Sequence, residues 1–233
     1  MCFFLSQDLI NLDPDNNEIN GAIKKAEEIT ERLLGCALIV RRKIYYISMI
    51  ELYYGGIGDE AHDYFRYQNE IVNVQSQKGL KIYVSKKTNN DNMKHRRMDI
   101  VIGPQGVPIS VLLRNVVCSE TRKNLSNSKV GQPNQIIKSF NMGIKWEDHG
   151  KEIFYNQDID NIDSSKEFLL IDTHEIFYKE NYIQNSVKRL RVKGGQFNGI
   201  NQNFKFYNRE WNFSLPEMDI YKLPKLSIIN NWD

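Results

Sequence analysis

The stretch Cys36-Ala37-Leu38-Ile39-Val40-Arg41-Arg42-Lys43-Ile44-Tyr45-Tyr46-Ile47-Ser48-Met49-Ile50-Glu51 decides how the chain begins to fold. Two β-rich runs, Cys36 to Val40 and Ile44 to Ile50, flank the basic triplet Arg41-Arg42-Lys43 and read as a hairpin. Glu51 closes the second run. Just upstream, residues 19–34 place Ile19, Ala22, Ile23, Ala26, Ile29, Leu33 and Leu34 on one helical face, and Gly35 stands at the position of a C-terminal cap. An amphipathic helix running into a hairpin makes the opening of the chain mixed in α and β content.

Downstream, residues 52–79 are rich in Gly and polar side chains and read as a long irregular excursion, a kind of segment that in compact domains is usually functional. Strand-like runs return at Leu80 to Ser85, Met98 to Ile102 and Ile109 to Val116, with Lys86 to Arg97 as a long polar hairpin tip between the first two. Pro133 to Met142 suggests a short helix with Pro in its first turn. Apolar β-type runs follow at Phe168 to Ile171, Val187 to Val192 and Phe204 to Tyr207. Neither an internal repeat nor a linker divides the 233 residues, so residues 21–233 are expected to form one domain behind an acidic arm, residues 1–20.

The net charge of +2 conceals an uneven distribution. Residues 1–20 hold four acids and no Lys or Arg, and residues 147–180 hold ten acids against three lysines. By contrast, residues 85–97 carry five cations against Asp91, and Lys188, Arg189, Arg191 and Lys193 follow later. Such clusters fit a protein with one polyanion-facing side, and equally ordinary solvated charge. No apolar run approaches the roughly 18–20 residues of a membrane span, and Met1 to Asp8 lacks a basic n-region and a small-residue cleavage site. A soluble, unexported chain in a reducing compartment is the expectation, since Cys2, Cys36 and Cys118 are too few and too scattered for a disulfide framework. His62, His95, His149 and His174 are equally scattered and no Cys-His spacing suits zinc, so neither a metal nor a cofactor is expected. Cys118 has no indicated His partner for nucleophilic chemistry.

Glu51 is followed by Tyr53, a glycine-rich turn at Gly55, Gly56 and Gly58, and then Asp59-Glu60-Ala61-His62. Each piece alone has an ordinary explanation: a strand-terminal Glu is usually exposed, a lone His structural, a Tyr a cap on the core. In this order they resemble the alkyladenine DNA glycosylase (3-methyladenine DNA glycosylase) family. The resemblance opens with Ala26, Leu33-Leu34-Gly35 and Leu38-Ile39-Val40, and continues through Glu51-Leu52-Tyr53-Tyr54-Gly55 to His62. Gly79, Ile82-Tyr83, Gly106 and Val111-Leu112-Leu113-Arg114 extend it, with weaker echoes at Gly131, Pro133-Asn134-Gln135-Ile136 and Lys205-Phe206-Tyr207. It spans residues 26–214, and its first block is the most specific.

The resemblance implies an α+β single domain with a curved, largely antiparallel β-sheet core flanked by helices and a protruding β-hairpin. It also implies a monofunctional purine DNA glycosylase acting in base excision repair, intracellular and DNA-associated, and we expect a monomer. Its partner would be double-stranded DNA containing a damaged, alkylated or deaminated purine, with no membrane involved. Cleaving a purine N-glycosidic bond builds positive charge on the sugar, so a carboxylate beside the anomeric carbon can stabilise it and deprotonate the attacking water. By resemblance that carboxylate is Glu51, and Arg114 helps hold the water and the DNA backbone. Arg114 read without the family is simply a strand-end salt bridge. The base must leave the stack, which costs a few kcal/mol. Tyr53 and His62 on one side and Tyr83 on the other would receive it, with stacking worth about 1–3 kcal/mol and a preference for electron-poor alkylated purines. No lysine in this block is placed for lyase chemistry.

Three departures stand out. The tip Lys86 to Arg97 is longer than its family counterpart and lacks the aromatic wedge; Met93 is its one apolar candidate, while Lys86, Lys87, Lys94, Arg96 and Arg97 would contact phosphates. Asp99 aligns where the family carries an asparagine on the pocket floor. A carboxylate there can accept a hydrogen bond from the exocyclic amine of guanine that an amide would crowd, so weaker discrimination against guanine lesions, or a preference for different ones, is expected; pairing of Asp99 with a nearby Arg is the alternative. The family's glycine-proline-small-lysine segment is broken by Gln132, and Gln135 replaces its lysine. These losses keep open a second reading, a non-catalytic DNA-binding protein of the same fold that recognises damaged or distorted DNA.

Overall fold

The computed structural model describes residues 18–54, 80–84, 97–103, 109–124, 136–137, 139–156, 163, 165–173, 185–187 and 212–215. Helix α1, Glu18–Leu33, ends where the sequence placed its cap: Gly35 sits at φ 79°, and its N–H donates to the Ile47 carbonyl at 2.8 Å. Ala26, Ile29 and Leu33 are the buried stripe, laid against strand β2.

Strands β1 (Ala37–Val40) and β2 (Lys43–Tyr54) form the expected hairpin, with Val40 paired to Lys43. The turn is therefore only Arg41-Arg42, both at positive φ, 45° and 72°. Such two-residue turns match the twist of the strands but ordinarily take Asn or Gly. Arg41 is held in that conformation by tertiary contacts. Its guanidinium bonds Asp148 Oδ1 at 2.5 Å, lies 3.6 Å from Glu167, donates to the Gly143 carbonyl and covers the Phe168 ring at 5.3 Å.

The remaining strands are β3 (Leu80–Val84), β4 (Met98–Val101), β5 (Ile109–Cys118), β6 (Glu152–Asn156), β7 (Phe168–Ile171), β8 (Asn185–Val187) and β9 (Asn212–Ser214). Their order is β1-β7-β6-β3-β4-β5-β2-β9-β8, and β2 also pairs with β1, so the first seven close into a barrel. All pairings are antiparallel except β6 with β7.

The mixed, strand-rich class and the mainly antiparallel pairing agree with the sequence reading. The expected curved sheet flanked by helices is corrected in two respects: the sheet closes on itself, and α1 is the only α-helix of more than one turn among the described residues. Where a helix was expected over 133–142, residues 136, 137 and 139 are helical. Closure has two physical causes. β7 bridges β1 to β6, and β2 is long and irregular enough to serve three neighbours. Its first half pairs with β1, and its residues Met49 to Glu51 pair with β9. The ladder with β5 is interrupted between, where Met49 pairs with Asn115 and both Ser48 and Arg114 step out of register. Irregularities of this kind bend a strand and re-aim its side chains.

One face of the barrel strands supplies the apolar core, through Ile50, Leu52, Leu113, Val111, Ile100 and Ile82. Residues alternating with these point the other way. The irregular excursion expected over 52–79 is corrected at its start, where β2 runs on to Tyr54, so Glu51 lies inside the strand rather than at its end. Residues 55–79, residues 86–96 of the tip expected over 86–97, and the run Phe204 to Tyr207 lie outside the described residues. No helix among the described residues is long and apolar enough to cross a membrane.

Candidate active site

The face opposite the core assembles the chemistry. Glu51 on β2 pairs with Leu112 on β5, Leu112 with Asp99 on β4, and Asp99 with Tyr83 on β3. Residues directly opposed across a ladder share a face, so four strands line up Glu51, Leu112, Asp99 and Tyr83 in one row. The next row on that face is Tyr53, Ser110, Val101 and Lys81. Because neighbouring strands lie about 4.8 Å apart, the backbones of Glu51 and Asp99, two strands removed, are roughly 10 Å apart.

Glu51 and Arg114 are each 1% exposed and form an ion pair. Arg114 Nε donates to Glu51 Oε2 at 2.7 Å, its Nη2 contacts the same oxygen, and the Tyr53 hydroxyl donates to it at 3.0 Å. Oε1 is buried and receives no hydrogen bond from the described residues. The asymmetry is chemically pointed: one oxygen is saturated with donors, and the other keeps its lone pairs. A buried acceptor left unsatisfied costs about 1–3 kcal/mol, so such an atom calls for a partner such as water or a ligand. Nor is a buried ion pair explained by folding, since apolar residues of similar volume usually serve stability as well or better. Arg114 is neither at a strand end nor at the surface. It sits inside β5 at the ladder irregularity, which is the local reason its guanidinium reaches Glu51.

Asp99 is 8% exposed, and Ser110 Oγ donates to its Oδ2 at 3.2 Å. Burial pushes its carboxyl up to about 7; Arg97 and the Ser110 hydrogen bond oppose the rise, Glu51 adds to it and Arg114 opposes it. At neutral pH this carboxyl is substantially protonated. Asp99 is thus a strand residue partnered by a serine, with the charge of Arg97, just before β4, close enough to be felt.

Tyr83 is buried and meets His149 edge to face, ring centroids 5.2 Å apart at 61°. His149 Nδ1 lies 3.2 Å from the backbone nitrogen and carbonyl oxygen of Val84, which fixes the imidazole against β3. Four of the sequence-derived candidates other than Arg114 therefore share one face: Glu51, Tyr53, Tyr83 and Asp99. His62, Lys86, Lys87, Met93, Lys94 and Arg96 lie outside the described residues. Two contributors had not been singled out, Ser110 and His149. Ser110 had a weak signal, a polar residue on the same strand face as Arg114 in an otherwise apolar run; His149 had none, because its contact with Tyr83 is wholly tertiary.

No group of three or more His, Cys, Asp or Glu side chains among the described residues is placed to hold a metal ion. A second buried carboxylate, Asp148, belongs to a different arrangement. Burial would raise its carboxyl, but the Lys145 amide, Arg41 and Lys151 together hold it below the ordinary range. It anchors the hairpin turn. Compared with models of protein families and with curated proteins, the sequence matches none.

Proposed function

We propose that the chain is a monofunctional purine DNA glycosylase, an alkyladenine-glycosylase-like domain over residues 21–233. It would act as a monomer on duplex DNA inside the cell, flipping out a damaged purine and hydrolysing its N-glycosidic bond to leave an abasic site. The observation that supports this best is the state of the Glu51 carboxylate: Oε2 is fixed by Arg114 and Tyr53, and Oε1 is buried and receives no hydrogen bond from the described residues. Such a group is oriented to receive a proton from a water while its charge faces an electron-deficient sugar carbon.

In this reading Arg114 and Tyr53 hold the base in one rotamer, so little is lost to reorganisation during reaction. Tyr83, braced by His149, offers an aromatic surface on the same face, and with Tyr53 and His62 it would stack the extruded base. The basic tip, with Lys86, Lys87, Lys94, Arg96 and Arg97, would contact phosphates, with Met93 in reserve as a wedge.

The test is incubation with duplexes carrying hypoxanthine or 3-methyladenine, scored for abasic sites, with Glu51→Gln as control. Wild type should form abasic sites, and Glu51→Gln should lose about 10²–10⁴ in rate while retaining DNA binding. DNA binding without product on either lesion would sink the enzyme reading in favour of a non-catalytic DNA-binding protein.

A further inference from the structure

We propose that His149 is a positioning residue for base recognition, setting the plane of the Tyr83 ring against which an extruded purine would stack. This rests on the glycosylase reading of the site. The ladder between β3 and β6 pairs only Leu80 and Lys81. Beyond it, β3 is met by residues 149–151, a segment that is not itself a strand. The Ile82 N–H donates to the Lys151 carbonyl at 2.9 Å, and the Gly150 N–H donates to the Ile82 carbonyl at 2.8 Å. At Val84 a side chain takes over: His149 Nδ1 lies 3.2 Å from both the nitrogen and the carbonyl oxygen of that residue. One tautomer accepts from the Val84 N–H and the other donates to its carbonyl, so the imidazole keeps its seat in either form.

The chain on both sides of His149 is anchored without help from Tyr83. Its neighbour Asp148 is buried; the carboxylate accepts from the Lys145 amide at 2.7 Å and from Arg41 at 2.5 Å, with Lys151 Nζ at 3.0 Å. On the other side Gly150 adopts φ 84°, which glycine takes at little cost and other residues rarely reach. His149 is therefore a fixed point, and the Tyr83 ring meets it edge to face with centroids 5.2 Å apart at 61°.

That geometry is the one favoured by the quadrupoles of two aromatic rings, and it biases ring orientation by about 2–13-fold. It uses at most one face of Tyr83 and is compatible with a base stacked on the other. An extruded purine then meets a ring already in the right plane, and less ordering is left for the moment of binding. His149 needs no contact with the base to do this. Its effect passes through Tyr83 alone, and that is what sets it apart from a residue that merely holds the fold together.

The experiment places 2-aminopurine beside hypoxanthine in a duplex, so that fluorescence rises when the lesion leaves the stack. The full chain carries Glu51→Gln to keep the base attached. To this are added His149→Gln, His149→Phe, Tyr83→Ala, and Tyr83→Ala combined with His149→Gln. Gln keeps a polar partner for Val84 but has no ring, whereas Phe keeps a ring edge but no hydrogen bond. His149→Gln should lower the extrahelical fraction by about 2–13-fold, and His149→Phe should recover most of that loss. Tyr83→Ala should cost about 5–150-fold through lost stacking. His149→Gln should then add less than about twofold in the Tyr83→Ala background. Binding of undamaged duplex should be the same in all.

Additive losses, a loss under twofold for His149→Gln, or recovery by Gln but not by Phe would each overturn the proposal. In those cases the glycosylase reading would survive, provided the chain with Glu51 intact forms abasic sites. Fluorescence changes as expected without any abasic product would remove the enzyme reading and leave the positioning role standing. No fluorescence rise and no product would remove both.

Discussion

Replacing Asp99 by Asn should stabilise the protein in a pH-dependent way that needs no substrate to measure. The carboxyl moves from its ordinary value of 3.8 to about 7 on folding, because the folded state removes it from water. Each unit is worth about 1.36 kcal/mol, so the roughly three-unit rise amounts to about 4 kcal/mol. The sign follows from proton uptake: between pH 3.8 and about 7 the folded state binds more protons at this site than the unfolded state, so stability falls as pH rises through that window and is level beyond it. An amide of the same shape has no such term and can still accept from Ser110. Urea unfolding of wild type and Asp99→Asn at about pH 4, 5.5 and 8 should therefore show the variant gaining about 4 kcal/mol relative to wild type from the lowest pH to the highest. Other carboxylates titrate in both proteins and cancel in the difference. Curves that stay parallel within about 0.5 kcal/mol would show that Asp99 ionises normally in the fold and would refute the reasoning.

Truncating Arg114 to Ala leaves Glu51 buried and uncompensated and should cost about 3–5 kcal/mol in urea unfolding, with most of it recovered when Glu51→Gln and Arg114→Met are combined; additive losses would contradict the pairing. Asp148→Asn should destabilise at neutral pH but not at acid pH, because a depressed carboxyl contributes stability above its unfolded value that is lost as pH falls through the folded one; an equal loss in the range of pH 2–3 would contradict the assignment. Arg42→Gly should raise stability by about 1 kcal/mol, since glycine accepts the φ of 72° that an exposed arginine holds under strain; a loss in thermal or urea unfolding would show that the turn is not strained there.

Helix α1, the hairpin and strands β3, β4, β5 and β7 were legible because their apolar residues recur with the right period and are bounded by Gly, Pro or charge. β6 was not: Glu152-Ile153-Phe154-Tyr155-Asn156 lies in an acidic stretch, and its extended form comes from pairing with β3 and β7 rather than from its own pattern. β9 is three residues whose state is set by Met49, Ile50 and Glu51 on β2. Barrel closure was invisible for the same reason, since it depends on which distant strands meet. At the site, residue types and spacing drew attention to Glu51, Tyr53, Tyr83, Asp99 and Arg114. What the sequence could not supply was register, the fact that Leu112 stands between two carboxylates and that Ser110 and His149 complete the surroundings of Asp99 and Tyr83.

The seam between β1 and β7 also sets when the protein can finish folding. Val40 pairs with Phe168, so the first of the described strands to be synthesised waits for a much later one to cover its edge. Pairings between segments so distant in sequence form slowly, since loop-closure entropy opposes them before contacts repay it. Until then β1 presents unpaired backbone N–H and C=O groups beside an apolar run, the kind of edge on which nascent or truncated chains associate. The row that holds Glu51, Leu112, Asp99 and Tyr83 involves only β2, β5, β4 and β3, all upstream of Phe168. The chain can thus order its chemistry before it seals its barrel.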